Sequence, residues 1–291
     1  MFSSSARTIL VDVGDRIIEV CRTAGALGAE ISGIDLARPL SKEQSAAVRA
    51  AWLEHLVVFF RDQPLTPGQF MAFAETLGEP MAYPLLKGLQ GYPMITEVKK
   101  LEHERVAFGG LWHSDTTYLE RPPMASMLLA REVPPYGGDT LFANMYLAYE
   151  TLSQGLRRML EPLRAVSSSA KADASKTRED RIRSAGTAAA SRELVAEHPV
   201  VRTHPETARK ALYVNPAHTV RFTGMTEEES APLLEYLYRH QQRPEHTCRF
   251  AWQPGSIALW DNRCAQHNPV NDYHGHRRVM HRITLAGDPP R

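Results

Sequence analysis

Short apolar runs separated by turns that contain glycine or proline are the feature that most restricts the fold of this chain. The run 56–60 reads Leu-Val-Val-Phe-Phe, and its length and its β-branched and aromatic content predict a buried strand. Further strand candidates are 17–36, broken at its glycines, and 94–99, 124–131, 198–201, 210–215, 248–252, 256–261 and 278–285. Because these runs do not alternate regularly with helices, they favour a mainly β fold with peripheral helices, arranged as a double-sheet barrel or jelly roll.

Three segments open with helix-capping signals. Ser41 precedes Gln44 by three residues, which is the spacing of a capping box, and Thr226 precedes Glu229 in the same way. The third segment, 66–77, has Pro67 at its first helical position and ends before Gly78. The predicted helices cover 42–55, 66–77 and 226–240, with one or two more within 145–163.

Residues 167–192 differ from the rest of the chain. They are polar, rich in alanine and mixed in charge, without sustained periodicity. This composition predicts an excursion from the core, either a mobile lid over a site or a solvated linker with no role. Since neither a repeat nor a change in composition divides the sequence, residues 1–291 are expected to form a single domain.

The charge balance and the cysteines exclude several classes of protein. With 34 Lys and Arg against 33 Asp and Glu, nothing in the net charge of +1 favours nucleic acid or an anionic membrane, and neither partner is expected. No apolar run reaches the length of a membrane span or a signal peptide. Three scattered cysteines, Cys21, Cys248 and Cys264, argue against a disulfide framework. A cytoplasmic protein is the expectation.

His113 and Asp115 form the first candidate for a chemical site. In extended backbone, residues i and i+2 point to the same face, so an imidazole nitrogen and a carboxylate oxygen can converge on one metal ion. Two ligands hold a transition metal poorly, and a third is therefore expected elsewhere in the chain.

Among the twelve histidines, His267 is the best candidate for that third ligand. It follows the apolar run 256–261, whose end could bring it to the rim of the barrel that carries His113. An ordinary hydrogen-bonded core histidine is the alternative. Five other histidines lie in polar surroundings and are predicted at the surface: His103, His204, His240, His246 and His274.

Two arginines in the last strand candidate form the second site. Arg278 and Arg282 are four residues apart and therefore share one face of a strand. A buried arginine is costly unless an anion meets it. The pair predicts two anionic ligands, or one anion and a structural carboxylate, with ion pairs to nearby acidic residues as the alternative.

Three blocks occur in a specific order and spacing: 112–118 (WHSDTTY), 137–142 (GGDTLF), and 259–282, which holds WDNRCAQH and RVMHR. With these blocks the chain resembles the taurine dioxygenase (TauD/TfdA) family of non-haem iron(II), 2-oxoglutarate-dependent dioxygenases, over about 28–287. Within the family, dioxygenases of aryloxyalkanoates such as phenoxypropionate look closer than taurine dioxygenase itself. The resemblance implies a cupin-like double-stranded β-helix.

The resemblance also implies residue roles. His113, Asp115 and His267 would be the two histidines and one carboxylate that bind Fe(II), leaving positions for 2-oxoglutarate and O2. Thr140 and Arg278 would bind the distal carboxylate of 2-oxoglutarate. Residues expected to bind or line the substrate pocket are Arg282, which would face the anionic group of the substrate, and Tyr83, Leu85, Leu86, Phe108, Leu111 and Tyr213.

The implied reaction is hydroxylation of a C–H bond in a small anionic organic substrate, an aryloxyalkanoate, alkyl sulfate or sulfonate. Decarboxylation of 2-oxoglutarate to succinate and CO2 accompanies it, and a product hydroxylated beside a heteroatom then cleaves. Gly109 stands where taurine dioxygenase has a polar residue, and 83–92 lacks the histidine that binds sulfonate there. Taurine is thus doubtful, and a bulkier or more apolar acid fits better.

Other functions remain open. The same family includes enzymes for taurine and other alkylsulfonates. A halogenase is disfavoured because such enzymes lack the carboxylate that Asp115 supplies. Outside the family, a metal-dependent hydrolase or a cupin-like binding protein without turnover could also use these ligands. Homodimers and homotetramers are common among such dioxygenases, and the sequence leaves both assemblies open.

Overall fold

The computed structural model describes residues 8–14, 16–107, 109–171 and 193–291, which form a mainly β structure with few helices. Its strands are β1 (Thr8–Asp12), β2 (Ile17–Arg22), β3 (Ala29–Ser32), β4 (Val57–Phe60), β5 (Pro80–Met81), β6 (Gly88–Leu89), β7 (Tyr92–Lys100), β8 (Ala125–Glu132), β9 (Thr140–Asn144), β10 (Arg164–Ser168), β11 (Val195–Pro199), β12 (Val201–Thr203), β13 (Lys210–Leu212), β14 (Thr219–Phe222), β15 (Thr247–Phe250), β16 (Ile257–Asp261), β17 (Ala265–Pro269) and β18 (Arg278–Leu285). Its α-helices are α1 (Lys42–His55), α2 (Pro67–Leu77), α3 (Met145–Glu150), α4 (Gln154–Leu160) and α5 (Glu227–Gln241).

A large sheet runs through the molecule in the order β1-β2-β3-β4-β16-β8-β18-β7-β6, and β5 also pairs with β18. Its pairings are antiparallel except for β3 with β4. A second sheet has the order β15-β9-β17, and two smaller sheets are β11-β10-β14 and β12-β13. Strands from the end of the chain, β16 and β18, lie beside β8 at the centre of the large sheet. This interleaving brings residues from distant parts of the sequence together.

Both faces of the large sheet are buried at its central strands β4 and β16. On β4, Val57 and Phe59 belong to an apolar core shared with β9 and β15, whereas Val58 and Phe60 belong to a second core shared with α1 and α2. A strand covered on both faces needs apolar residues at every position, which explains the unbroken run in the sequence.

The capping signals that predicted three helices are realised. Ser41 accepts a hydrogen bond from the backbone N–H of Gln44, whose side chain accepts one from the N–H of Ser41. The same reciprocal pair joins Thr226 to Glu229 at the start of α5. The sequence predicted one or two helices within 145–163, and the structure has two there, α3 and α4. None of the helices in the described part of the chain is long and apolar enough to cross a lipid bilayer.

Several strands escaped prediction. They include β1, β10, β14 and β17, which are short and carry polar residues, so that pairing rather than composition defines them. The two-residue strands β5 and β6 and the strand β9 were not predicted either. The predicted lid at 167–192 begins at Ser167 and Ser168, which are the last residues of β10. Most of that lid, 172–192, lies outside the described residues.

The prediction that five histidines lie at the surface is wrong for three of them. His204, His240 and His246 are buried, with 1 %, 3 % and 4 % of their surface exposed. Their ring nitrogens find partners in the interior, such as the Asp261 carboxylate for His204 and the Ala148 carbonyl for His240. A polar neighbourhood in sequence does not report such distant partners. His103 and His274 are exposed, as predicted.

Candidate metal centre

His113 and His267 face each other as an isolated antiparallel pair. The backbone N–H of each residue donates to the carbonyl of the other, at N···O distances of 3.0 Å and 2.8 Å. The two imidazole rings consequently lie 4.1 Å apart between centroids. Since His267 belongs to β17, which pairs with β9, this bridge fastens the loop before β8 to the second sheet.

Asp115 completes a cluster with these two histidines. One ring nitrogen of each histidine and one carboxylate oxygen of Asp115 all lie within 4.8 Å of one another, and the three residues are buried. His113 Nε2 is 3.6 Å from Asp115 Oδ1. The structure thus brings together the three residues that the sequence singled out as ligands, as a donor set of two nitrogens and one oxygen.

The protonation of the two rings suits metal ligation. His113 Nδ1 lies 2.6 Å from the Leu111 carbonyl oxygen, which can only accept, so Nδ1 carries a proton and Nε2 is the nitrogen that faces Asp115. Burial is the main cause that lowers the pKa of His267 well below its usual value, which favours the neutral ring. His267 Nδ1 is buried and has no hydrogen-bond partner in the described part of the chain.

Two polar side chains hold the carboxylate of Asp115. Ser126 Oγ donates to Asp115 Oδ2 at 2.6 Å, and Asn262 Nδ2 donates to Ser126 Oγ at 2.9 Å. Asn262 Oδ1 also accepts from the backbone N–H of Asp115. This network occupies Oδ2 and leaves Oδ1 directed towards His113. Sequence reasoning missed both residues, although a serine inside the apolar strand β8 was a usable signal.

The electrostatics of Asp115 favour its ionised form. Burial is the largest influence and would raise the pKa of this carboxyl, but the adjacent His113 and His267 rings and the positive charge of Arg282 together outweigh it. The pKa of Asp115 consequently lies well below its usual value. An ionised carboxylate is the form that binds a metal ion.

A small cavity of about 40 Å³ connects this cluster to the predicted anion-binding residues. It is lined by Val98, Gly109, His113, Leu128, Thr140, Trp260, His267, Pro269, Arg278 and Arg282. Two of the three clustered residues thus share one cavity with both arginines of β18 and with Thr140. The sequence predicted this grouping only through resemblance.

Arg278 is buried, and no described residue forms an ion pair with it. Its Nε and Nη2 atoms have no hydrogen-bond partner in the described part of the chain, and its guanidinium lies 5.6 Å from the centroid of the Trp252 ring. Burial lowers its pKa from the ordinary value. Trp252 Nε1 donates to Thr140 Oγ1 at 3.0 Å, so the Thr140 hydroxyl keeps its own proton available for another acceptor. Guanidinium and hydroxyl together form a place for a carboxylate.

Gly138, two residues before Thr140, allows the Arg278 side chain to lie close to the backbone of this turn. Gly138 has a φ of +70°, and a Cβ atom there would lie 3.3 Å from Arg278 Cδ. A larger residue would therefore be strained in its backbone and crowded against the arginine. Trp252, which supports both Arg278 and Thr140, was predicted only as part of a strand.

Arg282 differs from Arg278 in the groups that it contacts. Its Nη1 is 3.5 Å from Asp115 Oδ1, and its guanidinium lies 4.0 Å from the centroid of the Tyr83 ring. Tyr83 packs with Leu85 and Tyr118 in a small buried apolar cluster, against which Leu86 also packs. Arg282 therefore joins the carboxylate of the metal cluster to an apolar patch.

The remaining pocket candidates lie in different surroundings. Leu111 is 38 % exposed, and its carbonyl bonds to His113. Tyr213 is buried beside Arg202 and His198 and does not line the cavity at the metal cluster. Phe108 lies outside the described residues.

His218 is a buried residue beside the cluster that the sequence analysis did not identify. Its ring centroid lies 5.7 Å from that of His113 and 5.0 Å from that of Tyr118, and its Nδ1 is 3.0 Å from Thr117 Oγ1. Burial is the main cause that lowers its pKa to about 3, which favours a neutral ring. A histidine in the loop before β14 gave no sequence signal, because only the fold brings it here.

A second group of possible ligands, His204, Asp261 and Cys264, is better explained as structural. The carboxylate of Asp261 already accepts hydrogen bonds from Arg263 at 2.8 Å and 2.6 Å and from His204 at 3.1 Å. Burial is the main cause that raises the pKa of Cys264 well above its usual value, so its thiol stays protonated. This group therefore lacks a free anionic ligand.

Comparison with known proteins agrees with this geometry. The family model "Taurine catabolism dioxygenase TauD, TfdA family" matches residues 19–284. An alpha-ketoglutarate-dependent sulfate ester dioxygenase of Pseudomonas putida is 37 % identical over 94 % of this chain and 91 % of its own length. An (S)-phenoxypropionate/alpha-ketoglutarate dioxygenase of Sphingobium herbicidovorans is 31 % identical over 90 % and 92 %. A crystal structure of a taurine dioxygenase from Burkholderia xenovorans superposes with a TM-score of 0.79 at 38 % identity, over 94 % of this chain and 90 % of that one.

Proposed function

The chain belongs to the TauD/TfdA family and is an alpha-ketoglutarate-dependent (2-oxoglutarate-dependent) dioxygenase, and from this premise we propose that His113, Asp115 and His267 are its ligands for Fe(II). The observation that carries the proposal is the convergence of their donor atoms within 4.8 Å, in buried surroundings. Two imidazoles and one carboxylate, with no thiolate, are the ligands of non-haem iron(II) oxygenases. Three protein ligands leave coordination positions for 2-oxoglutarate and O2.

Arg278 and Thr140 are proposed to bind the distal carboxylate of 2-oxoglutarate. The buried Arg278 guanidinium has two nitrogens without hydrogen-bond partners in the described part of the chain, and a carboxylate would satisfy both. Thr140 would donate its free hydroxyl proton to the same carboxylate, because Trp252 occupies its lone pair. Loss of either contact would leave a buried polar group unpaired.

When bound, iron and 2-oxoglutarate would supply the oxidising power of the reaction, with O2 as oxidant and with succinate and CO2 as products. The chain itself would set the geometry and the surroundings. Ser126 and Asn262 keep the Asp115 carboxylate in one orientation, and the backbone bridge keeps the two imidazoles side by side. Burial of all three ligands limits access of bulk water.

A sulfate ester is the substrate class that we favour. Arg282 would hold the sulfate group near the metal centre, and the apolar cluster of Tyr83, Leu85 and Tyr118 would take the alkyl or aryl chain. The similarity to a sulfate ester dioxygenase over nearly the whole chain supports this class.

The products of such a reaction follow from its chemistry. Hydroxylation of R–CH2–O–SO3⁻ at the carbon that bears the ester oxygen gives R–CH(OH)–O–SO3⁻. The C–O bond to sulfate then breaks while the hydroxyl loses its proton, which yields an aldehyde, sulfate and one proton. One O2 and one 2-oxoglutarate are consumed, and one succinate and one CO2 are formed.

An aryloxyalkanoate is the second candidate. The two tyrosine rings of the apolar cluster favour an aromatic substrate, and a phenoxypropionate dioxygenase is similar over most of the chain. Taurine is disfavoured, because position 109 cannot readily carry a polar side chain. Gly109 has a φ of +72°, and a Cβ atom there would lie 3.0 Å from His113 Cε1.

The fold that we infer for this function is the double-stranded β-helix. The sheet β15-β9-β17 shares an apolar core with one face of the large sheet, as two opposed sheets of a jelly roll do. A single domain over 1–291 remains a prediction, as does assembly into homodimers or homotetramers.

Two measurements test the proposed function. Anaerobic protein with Fe(II) and 2-oxoglutarate should develop a weak visible charge-transfer band. In air, succinate formation should then respond most strongly to alkyl sulfates and next to phenoxyalkanoates, with alkylsulfonates and taurine supplied separately for comparison. For a sulfate ester, free sulfate should appear in a one-to-one ratio with succinate.

Variants separate the parts of the proposal. Asp115→Ala should lose both the band and succinate formation. Arg282→Gln should keep 2-oxoglutarate binding but lose the response to the anionic substrate. Absence of the band in the wild-type protein, or full turnover by Asp115→Ala, would refute the metal assignment. Turnover of taurine in preference to sulfate esters would refute the substrate class alone.

A further inference from the structure

A second cavity lies beside β12 and the last residues of the chain. Its volume is about 560 Å³, within the range of small-molecule sites. It is lined by Arg121, Arg202, Thr203, His204, Pro205, Ala208, Asp288, Pro289 and Arg291. It shares no lining residue with the cavity at the metal cluster. The two cavities therefore offer separate binding surfaces.

Arg202 is the feature that gives this cavity a chemical character. Its exposed fraction is 1 %, yet Nε and Nη1 have no hydrogen-bond partner in the described residues. Its guanidinium lies 4.8 Å from the centroid of the Tyr213 ring, a cation–π contact that meets one face of the group but does not satisfy its N–H donors. A buried guanidinium in this state calls for an anion.

The surrounding charges do not supply that anion. Arg121 and Arg291 add positive charge to the lining, whereas Asp288 is the acidic residue in it. The side-chain ion pairs among the described residues involve neither Arg202 nor Arg121 nor Arg291. The side chains of the lining, three arginines against Asp288, therefore carry a net positive charge.

Neighbouring polar groups are already committed to other partners. His204 Nε2 faces Asp261 Oδ2 at 3.1 Å, and its Nδ1 accepts from the backbone N–H groups of Glu206 and Thr207. Asp261 in turn is occupied by Arg263. His204 and Asp261 are therefore not available as partners for Arg202. Its Nε and Nη1 atoms are the buried donors of the lining that lack an acceptor among the described residues.

We propose that this cavity is a second anion site, in which Arg202 binds a small oxyanion through two parallel N–H···O bonds and Arg121 and Arg291 add electrostatic attraction. The shared chemistry is a pair of oxygens on a sulfate, a phosphate or a carboxylate, the geometry that a guanidinium fork matches. The anion is free or forms part of an organic molecule, which the volume of the cavity would admit. The site does not depend on the proposed metal centre or substrate.

Calorimetric titration of the metal-free protein with sulfate, at constant ionic strength maintained with chloride, tests the proposal. Sulfate should bind at this site in the wild type, and Arg202→Met should abolish that binding. Arg121→Gln should weaken it about tenfold through loss of a charged contact. Arg158→Gln removes an exposed charge from α4, outside the lining, and should leave sulfate binding unchanged. Arg278→Gln should also retain the site.

The outcomes distinguish the alternatives. If Arg278→Gln abolishes sulfate binding and Arg121→Gln does not affect it, sulfate binds only at the metal cavity and the proposal is wrong. If Arg202→Met fails to fold, a double variant replaces it, with Arg121→Gln and Arg291→Gln. This variant keeps the buried Arg202 and changes two other lining residues, and it must lose most of the sulfate binding. A parallel titration with benzoate separates the sources: tighter binding of benzoate indicates an organic carboxylate, tighter binding of sulfate an inorganic oxyanion. Failure of both probes to bind the wild type overturns the proposal.

Discussion

Two arginines on the same face of β18 differ in what their guanidinium groups meet. Arg282 has the Asp115 carboxylate 3.5 Å away, whereas Arg278 has two nitrogens with no hydrogen-bond partner in the described residues. From the spacing of four residues, both side chains were predicted to share one inward face of the strand, and both are buried. The spacing does not indicate which groups each guanidinium contacts. Of the alternatives that the sequence left open, a carboxylate of the protein, Asp115, lies beside Arg282, whereas an external anion at Arg278 stays a proposal.

Arg278→Lys should raise the KM for 2-oxoglutarate by at least about tenfold while Fe(II) or Mn(II) binding persists. A lysine keeps the charge but loses the planar fork that matches a carboxylate. Succinate formation at varied 2-oxoglutarate concentration measures this effect. Arg277→Lys, at the adjacent half-exposed position that pairs with Glu102, is the matched control and should retain the wild-type KM. Equal KM values in the two variants would contradict the role of Arg278.

Ser126→Ala should weaken metal binding about tenfold to a hundredfold, because the Asp115 carboxylate loses the donor that fixes its orientation. Anaerobic titration with Mn(II) measures the apparent Kd. Ser256→Ala is the control, since Ser256 is equally buried but bonds to Arg61 and Gln253 instead. If both variants bind Mn(II) like the wild type, Ser126 has no part in positioning Asp115.

His198 should make the protein less stable as the pH falls. Burial is the main cause that lowers its pKa from 6.5 to about 4. Between those values the unfolded chain binds the proton more readily, so the stabilisation is complete above pH 6.5 and declines towards pH 4, by about 3 kcal/mol at most. Urea unfolding of His198→Gln across this range should show a shallower dependence on pH than the wild type. The exposed control His103→Gln should keep the wild-type dependence, and a steeper one in His198→Gln would be inconsistent with the assignment.

At the scale of elements, strand pairing decides which side chains meet. The bridge between His113 and His267 exists because β17 pairs with β9 in a register that sets His267 opposite Phe142. A shift of one residue would turn the His267 side chain to the other face of the sheet. Apolar runs in the sequence predicted several of the strands, but the choice of partner strands came from packing of the two sheets.

Gly109→Ala tests how closely the loop before His113 must approach the imidazole. Gly109 has a φ of +72°, and an added Cβ would lie 3.0 Å from His113 Cε1. The variant should therefore displace the ring and weaken Mn(II) binding, besides costing about 1 kcal/mol of backbone strain. Gly91→Ala is the matched control, because its φ is +80° but an added Cβ would meet nothing within 4 Å. It should lose similar stability and keep metal binding; weakened binding in both variants would exclude the contact as the cause.

At the scale of the whole molecule, the metal centre connects parts of the chain that are far apart in sequence. Asp115 is tied to β8 through Ser126, and His267 belongs to β17 of the second sheet. A metal ion held by all three proposed ligands would join the two sheets. Since the unfolded chain cannot gather these ligands, binding energy at the site adds to the stability of the fold.

Removal of metal with a chelator should lower the Tm, and Mn(II) should restore it. At a free concentration of one hundred times the Kd, the expected stabilisation is about 2.7 kcal/mol. Thermal unfolding followed by circular dichroism measures the shift, and Asp115→Ala should show none. A Tm of the wild type that is the same with and without Mn(II) would be evidence against a site closed by these three residues.

The sequence determined the local structure and the chemical types at the site. Capping pairs such as Ser41 with Gln44 act within one turn, and the candidate ligands His113 and Asp115 are only two positions apart in the chain. Their outcome depends on neighbours in sequence, so no knowledge of the fold was needed. Resemblance added Thr140 and gave His267 and Arg278 their specific roles, because the order and spacing of the three sequence blocks are specific to the family.

The tertiary structure decided everything that depends on approach between distant segments. Ser126, Asn262, Trp252 and His218 reach the site from four separate elements or loops, and their own sequence surroundings do not reveal this. The same reason explains why His204 and His240 are buried although polar residues flank them. Burial and hydrogen bonding are set by the strands that pack across a residue, and the order of strands in the large sheet is not encoded in any single segment.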